Sequence, residues 1–243
     1  MPAPTALHAD APYCKAIFAG VRVVLATSSG RPGLLADYDE KTHTIRVSLL
    51  GQAQASVSKQ ITFNHEFRHH EERLKIEAGD FSLRRISLQT KARADRNEPL
   101  SDYNERLSFD ELETYFADLK AHRASGLETK PLSEFVKRLI ATARRTLTEL
   151  EQKIENRAVS GDEMLQLMQS PWGTGLAPNP PPMNHSLSFQ LSDGEVLAIN
   201  VSLKSSYPNR PKRSELSQAL SDTIYEAQVR VDEIEHELKA LKF

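Results

Sequence analysis

The chain has 243 residues, of which 39% are hydrophobic and 26% are charged, and its formal net charge is −2. This length allows one or two domains with a sizeable core, and the small net charge argues against bulk attraction to nucleic acid or to an anionic membrane. The single cysteine, Cys14, excludes an intramolecular disulfide and a zinc site built from cysteines. No stretch approaches the roughly 20 apolar residues that span a bilayer. We therefore expect a cytoplasmic protein, or one exported without a cleaved signal peptide.

The N-terminal part of the chain is predicted to be a tail followed by strands. Residues 1–14 are rich in alanine and proline, and we expect them to be disordered. Strands are predicted over 16–25, 34–38 and 42–49. In the last of these, Ile45, Val47 and Leu49 alternate with polar residues, as in a half-buried strand.

A helix predicted over 58–76 carries the sequence His65-Glu66-Phe67-Arg68-His69. This spacing of two histidines and a glutamate is the one that zinc metallopeptidases use. Residues four apart lie above one another on a helix, so both imidazoles could reach one tetrahedral zinc ion. Glu66 lies one step round the helix, where it can reach a water on the metal without being forced to ligate it.

The same helix is predicted to have an apolar face formed by Phe63, Phe67 and Leu74. His65 and His69 lie roughly half a turn away, at about 100° per residue. One side of the helix could therefore pack on a core while the other faces a cleft. The many charged residues of this segment leave a second interpretation open, in which the histidines lie on the surface of a solvated helix.

Residues 37–47, followed by the segment from His65 to His69, resemble the N-terminal part of compact bacterial toxin- or effector-type zinc metallopeptidases. The resemblance covers about residues 35–120, and Arg68 departs from the uncharged residue that this family has between its histidines. It implies that extended substrate pairs with the strand over 44–49. It also implies that Glu66 acts as general base toward a metal-activated water.

A second site-bearing helix is predicted to begin near Ser108 and to end before Gly126. Its apolar stripe consists of Leu112, Tyr115, Phe116 and Leu119. In glutamate-zincins the third zinc ligand is a glutamate on a downstream helix, and Glu113-Thr114-Tyr115 resembles that arrangement. The resemblance implies Glu113 as the third ligand, with Glu111 as the alternative. Only one of them can face the metal, because residues two apart on a helix point about 200° apart.

The residue that would assist in stabilising the oxyanion is left open among four candidates. They are Tyr103, His122, His185 and Tyr207.

The C-terminal region, 127–243, is predicted to contain two long amphipathic helices, over 131–157 and 214–241. A Pro-rich linker near 170–184 and a β-hairpin within 187–203 lie between them. The two helices could pack on each other, or offer a face to a partner chain or to a second copy.

Together these elements predict an α+β protein with a small zincin-like core. We expect a disordered tail (1–14), a zincin-like catalytic region (15–126) and a helical and hairpin region (127–243). The expected function is a zinc-dependent peptidase that acts on a protein or peptide and has no nucleic-acid or membrane partner. The alternative is a non-enzymatic interaction protein that binds a partner through its C-terminal helices.

Overall fold

The α+β class is confirmed by the computed structural model, which contains helices and two three-stranded sheets. The residues that it describes are 20–27, 33–77, 86–89, 99–155, 183–190, 196–203 and 213–243. The predicted tail (1–14) and most of the predicted linker (170–184) lie outside these residues. In the part of the chain that the structure describes, every helix is too short or too polar to cross a membrane.

The chain divides into two compact units that interleave in sequence. The first comprises 1–79, 94–104 and 114–133, and the second comprises 80–93, 105–113 and 134–243. Strand β4 (Ile86–Gln89) belongs to the second unit, where it pairs with strand β6 (Val196–Leu203) in a sheet with β5 (Met183–Gln190). The predicted regions 15–126 and 127–243 stay a prediction.

The sheet of the first unit contains β1 (Arg22–Leu25), β2 (Ala36–Asp39) and β3 (Thr44–Val47) in the order β1-β3-β2. Strand β3 pairs in parallel with β1 and antiparallel with β2, so the backbone groups on both of its edges are already used. The expectation that extended substrate adds to this strand is therefore wrong. The edges of this sheet are β1 and β2.

Strand β3 ends at Val47 because the chain turns there into a short helix, α1 (Leu49–Ala53). Ser48 caps that helix: its hydroxyl accepts a hydrogen bond from the Gly51 backbone N–H at 3.1 Å and donates one to the Leu34 carbonyl at 2.6 Å. A Cβ at Gly51 would run into the carbonyl oxygen of Leu35. The predicted strand over 42–49 was thus too long at its C-terminal end.

Helix α2 (Ser56–Glu77) carries the two histidines and packs on this sheet. Phe63 and Phe67 are buried together with Val21, Ile45 and Val47 in the core of the first unit. The predicted apolar face is correct at the two phenylalanines and wrong at Leu74, which is 43% exposed. The face that bears the histidines points away from the sheet, because positions 63 and 65 differ by about 200° around the helix.

Two helices follow the segment 90–98. The short helix α3 comprises Leu100–Arg106. Helix α4 (Ser108–Ala124) begins at the predicted residue, and Leu112, Phe116 and Leu119 of its predicted stripe are buried.

The second unit contains helix α5 (Lys130–Glu155) from Glu134 onward and helix α6 (Arg213–Ala240), and these pack against each other in antiparallel fashion. Side-chain contacts show the direction: moving along α5, Arg144 contacts Asp232, and Glu151 then contacts Gln228. The apolar seam predicted for α5 is buried at Val136, Leu139, Ala143, Leu147 and Leu150. This pairing is one of the two arrangements that the sequence predicted.

Candidate metal centre

The two motif histidines are buried side by side on α2, each 7% exposed. The Nε2 atoms of His65 and His69 lie 3.4 Å apart. Two nitrogen ligands of a tetrahedral zinc, each about 2.05 Å from the metal, are separated by about 3.3 Å. The spacing of the two nitrogen atoms therefore fits a shared zinc ion.

A carboxylate from α4 completes the set of ligand atoms. One ligand atom each of His65, His69 and Glu111 lies within 4.8 Å of the other two. Glu111 is 9% exposed and lies two helical turns before Asp118 on the same continuous helix. Two imidazoles and one carboxylate are a donor set that catalytic zinc sites use, with a fourth position left for water or substrate.

The resemblance implied Glu113 as the third ligand, but the residue whose carboxylate lies near the two histidines is the alternative, Glu111, and Glu113 lies elsewhere. The Glu113 carboxylate accepts a hydrogen bond from Nε of Arg230 at 2.6 Å. This contact, the largest influence on that guanidinium, raises the pKa of Arg230 above its usual value. Glu113 is thus engaged in a partly exposed ion pair on another face of the helix.

Asp118 fixes the orientation of the first histidine. Its Oδ2 lies 2.6 Å from Nδ1 of His65, and Asp118 is 6% exposed. Since a carboxylate accepts, Nδ1 carries the proton and Nε2 of His65 presents a lone pair toward Nε2 of His69. The Nε2 atom of His65 can then accept a hydrogen bond from a protonated Nε2 of His69, or ligate a cation together with it. A carboxylate behind a ligating histidine is the usual outer partner in zinc sites.

Arg68, the charged residue between the histidines, is explained by the same carboxylate. Its Nη1 lies 2.6 Å from Oδ1 of Asp118 and 3.3 Å from the carbonyl oxygen of Thr114. Both oxygens of Asp118 are therefore used, one by Arg68 and the other by His65. The arginine that departs from the family pattern is a partner of the site, not a sign of a solvated helix.

Glu66 is also buried, with 9% of the residue exposed. It follows His65 directly and lies about 60° from His69 around the helix axis. Glu66 therefore lies on the same buried polar face of α2 as the two histidines. It is not one of the three residues whose ligand atoms lie within 4.8 Å of one another.

An aromatic ring covers one side of the cluster. The Tyr115 ring lies edge-on to His65, with 4.6 Å between centroids, and its hydroxyl accepts a hydrogen bond from Nδ2 of Asn104 at 2.6 Å. Tyr115 was predicted only as part of an apolar stripe, and Asp118 and Asn104 were not predicted as site residues. The spacing of Glu111, Tyr115 and Asp118 at i, i+4 and i+7 on one helix could have revealed this polar face.

Of the four candidates for oxyanion assistance, His122 lies at the exposed end of α4, with its Nδ1 3.1 Å from the carbonyl oxygen of Glu128. Tyr103 is half-buried on α3. The side chain of His185 and the whole of Tyr207 lie outside the described residues.

A second group of rings connects α2 to the sheet. The Tyr38 hydroxyl lies 2.9 Å from Nδ1 of His70 and 3.0 Å from Nδ1 of His43. A phenol has one proton, so it donates to one of these imidazoles and accepts from the other. His70 is only 2% exposed. This network holds the residue after His69 against strand β2.

Comparison of the chain with protein-family models, with curated proteins and with solved structures gives no match.

Proposed function

We propose that this protein is a zinc-dependent peptidase whose metal ligands are His65, His69 and Glu111. The observation that supports the proposal is the 3.4 Å separation of the two Nε2 atoms, with a Glu111 oxygen close to both. The three residues are buried, so their ligand atoms are held in place by packing. When bound, zinc supplies Lewis acidity that makes water a better nucleophile and polarises the carbonyl of the scissile bond.

In this proposal the chain's own residues move the protons. Glu66 accepts a proton from the attacking water and passes it to the leaving amine. Asp118 holds the His65 imidazole in the tautomer whose Nε2 carries the lone pair that would ligate the metal. Tyr115 covers one side of His65 and excludes solvent there.

The alternative function is the binding of a partner through the C-terminal helices. It would have to use residues outside the apolar face of α6, which includes Leu220 and Val231. Leu220 and Val231 of α6 are each 3% exposed, because that face packs within this chain. Among the described residues of α6, the large apolar side chains that are exposed are Tyr225 and Val229. Leu220 and Val231 are therefore used in packing within this chain, and a partner would have to bind elsewhere on α6.

Elemental analysis of protein purified without a histidine tag tests the proposal. We expect about one zinc per chain in the wild type and none in the double variant His65→Ala/His69→Ala. Glu66→Gln should keep the zinc and the fold but lose cleavage of a mixed peptide library, since the amide cannot accept the proton. A wild type that takes up no zinc, even with zinc supplied during refolding, would rule the peptidase out.

A further inference from the structure

We propose that Arg68 is a positioning residue of the metal centre, which acts through Asp118 to orient His65. The inference deepens the proposed function and rests on it. It starts from a chain of two contacts: Arg68 to one carboxylate oxygen of Asp118, and the other oxygen to the imidazole, each 2.6 Å long.

The carboxylate needs the second contact to hold its direction. The χ2 torsion of aspartate is broad, so a carboxylate bound at one oxygen alone can still rotate. Arg68 occupies Oδ1, and Oδ2 is then left pointing at Nδ1 of His65. Rotation of the carboxylate would shift the imidazole, and with it the Nε2 atom that faces His69.

The position of Arg68 itself is set at two points on α4. The same Nη1 atom donates to Asp118 and to the carbonyl oxygen of Thr114, one turn earlier on that helix. On α2, Arg68 lies three residues after His65 and one before His69. The arginine therefore ties the ligand-bearing segment of α2 to the turn of α4 that holds the carboxylate.

Lysine cannot fully replace this arginine. The guanidinium is planar and presents its donors in a fixed fork, whereas the lysine ammonium is a point charge on a flexible stem. We expect Arg68→Lys to retain part of the effect and Arg68→Met to lose it. A nearby control is Arg73→Met, because Arg73 lies on the same helix and its ion pair is with Glu40, at 3.9 Å.

The test measures zinc affinity by competition with a chelator, and the visible spectrum of the cobalt-substituted protein. Arg68→Met should weaken zinc binding about 10-fold, the lower end of what outer partners of metal ligands contribute, and should alter the cobalt spectrum. Arg68→Lys should recover part of both, and Arg73→Met should leave both as in the wild type. The double variant Arg68→Met/Asp118→Asn should bind zinc no more weakly than Asp118→Asn alone.

Melting of the metal-free proteins separates positioning from simple stabilisation. A lower melting temperature for Arg68→Met, with wild-type zinc affinity and cobalt spectrum, would overturn the proposal and leave Arg68 as a structural ion pair. Additive losses in the double variant would also overturn it, since Arg68 would then act independently of Asp118. If the wild type itself binds no zinc, the proposed function fails and this inference fails with it, and no variant needs to be compared.

Discussion

Helices α2 and α5 are of similar length but bury different kinds of side chain. Helix α5 buries an apolar seam and leaves its charged residues exposed or half-buried, as expected of an amphipathic helix whose packing stabilises the fold. Helix α2 buries the apolar residues Ile61, Phe63 and Phe67, but it also buries four polar side chains that are each at most 9% exposed: His65, Glu66, His69 and His70.

Buried polar groups cost free energy unless they have partners. The imidazoles of α2 have them: His65 contacts Asp118, His70 contacts Tyr38, and the Nε2 atoms of His65 and His69 face each other. The polar residues that α5 buries are instead small hydroxyl residues, Ser133, Thr142 and Thr146, which cannot act as metal ligands of this kind. If α2 carries the proposed metal centre and α5 mainly stabilises the fold, the two helices can be perturbed separately.

The largest expected effect is on stability, from Leu139→Ala in α5. Leu139 is 0% exposed, and truncating a fully buried leucine lowers the free energy of unfolding by about 2–5 kcal/mol. Urea denaturation measures the loss, with Glu134→Ala on the exposed side of the same helix as the control. Zinc per folded chain should stay at the wild-type value. Loss of zinc from folded Leu139→Ala protein would contradict the separation of the two regions.

The next largest effect is on metal affinity, from Glu111→Gln compared with Glu113→Gln. A neutral amide is a much poorer zinc ligand than a carboxylate, so we expect Glu111→Gln to weaken zinc binding by at least about 100-fold, the upper limit for outer partners. Glu113→Gln disrupts only the partly exposed pair with Arg230, which contributes about 0–1 kcal/mol to stability. Competition with a chelator measures the zinc affinity of both variants. Equal losses of affinity in Glu111→Gln and Glu113→Gln would exclude Glu111 as the specific ligand.

The helices could be predicted from the sequence because their signals are local. Apolar residues three and four apart predicted α4 from Ser108 and the buried seam of α5, and both predictions are confirmed. The motif helix was placed within two residues of its observed ends, Ser56 and Glu77. Periodicity is a property of a single segment, so it needs no knowledge of the neighbouring elements.

What the sequence could not provide were relations between segments. The alternation of apolar and polar residues in β3 would be the same in an edge strand and in a central strand. Only its pairing with both β1 and β2 shows that β3 is the central strand of its sheet. Glu111 and Glu113 both flank the apolar stripe of α4, so periodicity could not choose between them. Asp118 is an ordinary acidic residue in the sequence and becomes part of the site only through its contact with His65.

A smaller effect is expected from Tyr38→Phe, which removes the hydroxyl between His43 and His70. Hydrogen bonds of this kind contribute about 1 kcal/mol each, so we expect the free energy of unfolding to fall by about 1–2 kcal/mol. Tyr225→Phe, at a position that is 67% exposed, is the matched control and should be neutral. Zinc stoichiometry should be unchanged, and its loss would show that this network also sets the metal ligands.

The smallest effect is on the pH dependence of stability and comes from the α5–α6 pair. A hydrogen bond from Lys239, then one from Arg144, lowers the pKa of Glu235 below its usual 4.5. A carboxyl whose pKa is lower in the folded state stabilises the protein above the unfolded pKa, and this contribution is lost as the pH falls through the folded value. Glu235→Gln should therefore be less stable than the wild type at pH 7, by less than about 1 kcal/mol because the pair lies near the surface. The difference should shrink as the pH falls below 4.5. Urea denaturation over this pH range measures the difference in the free energy of unfolding between the wild type and Glu235→Gln. Glu134→Gln, at an exposed position of α5, is the control. A difference that grows as the pH falls would contradict a lowered pKa of Glu235 in the folded protein.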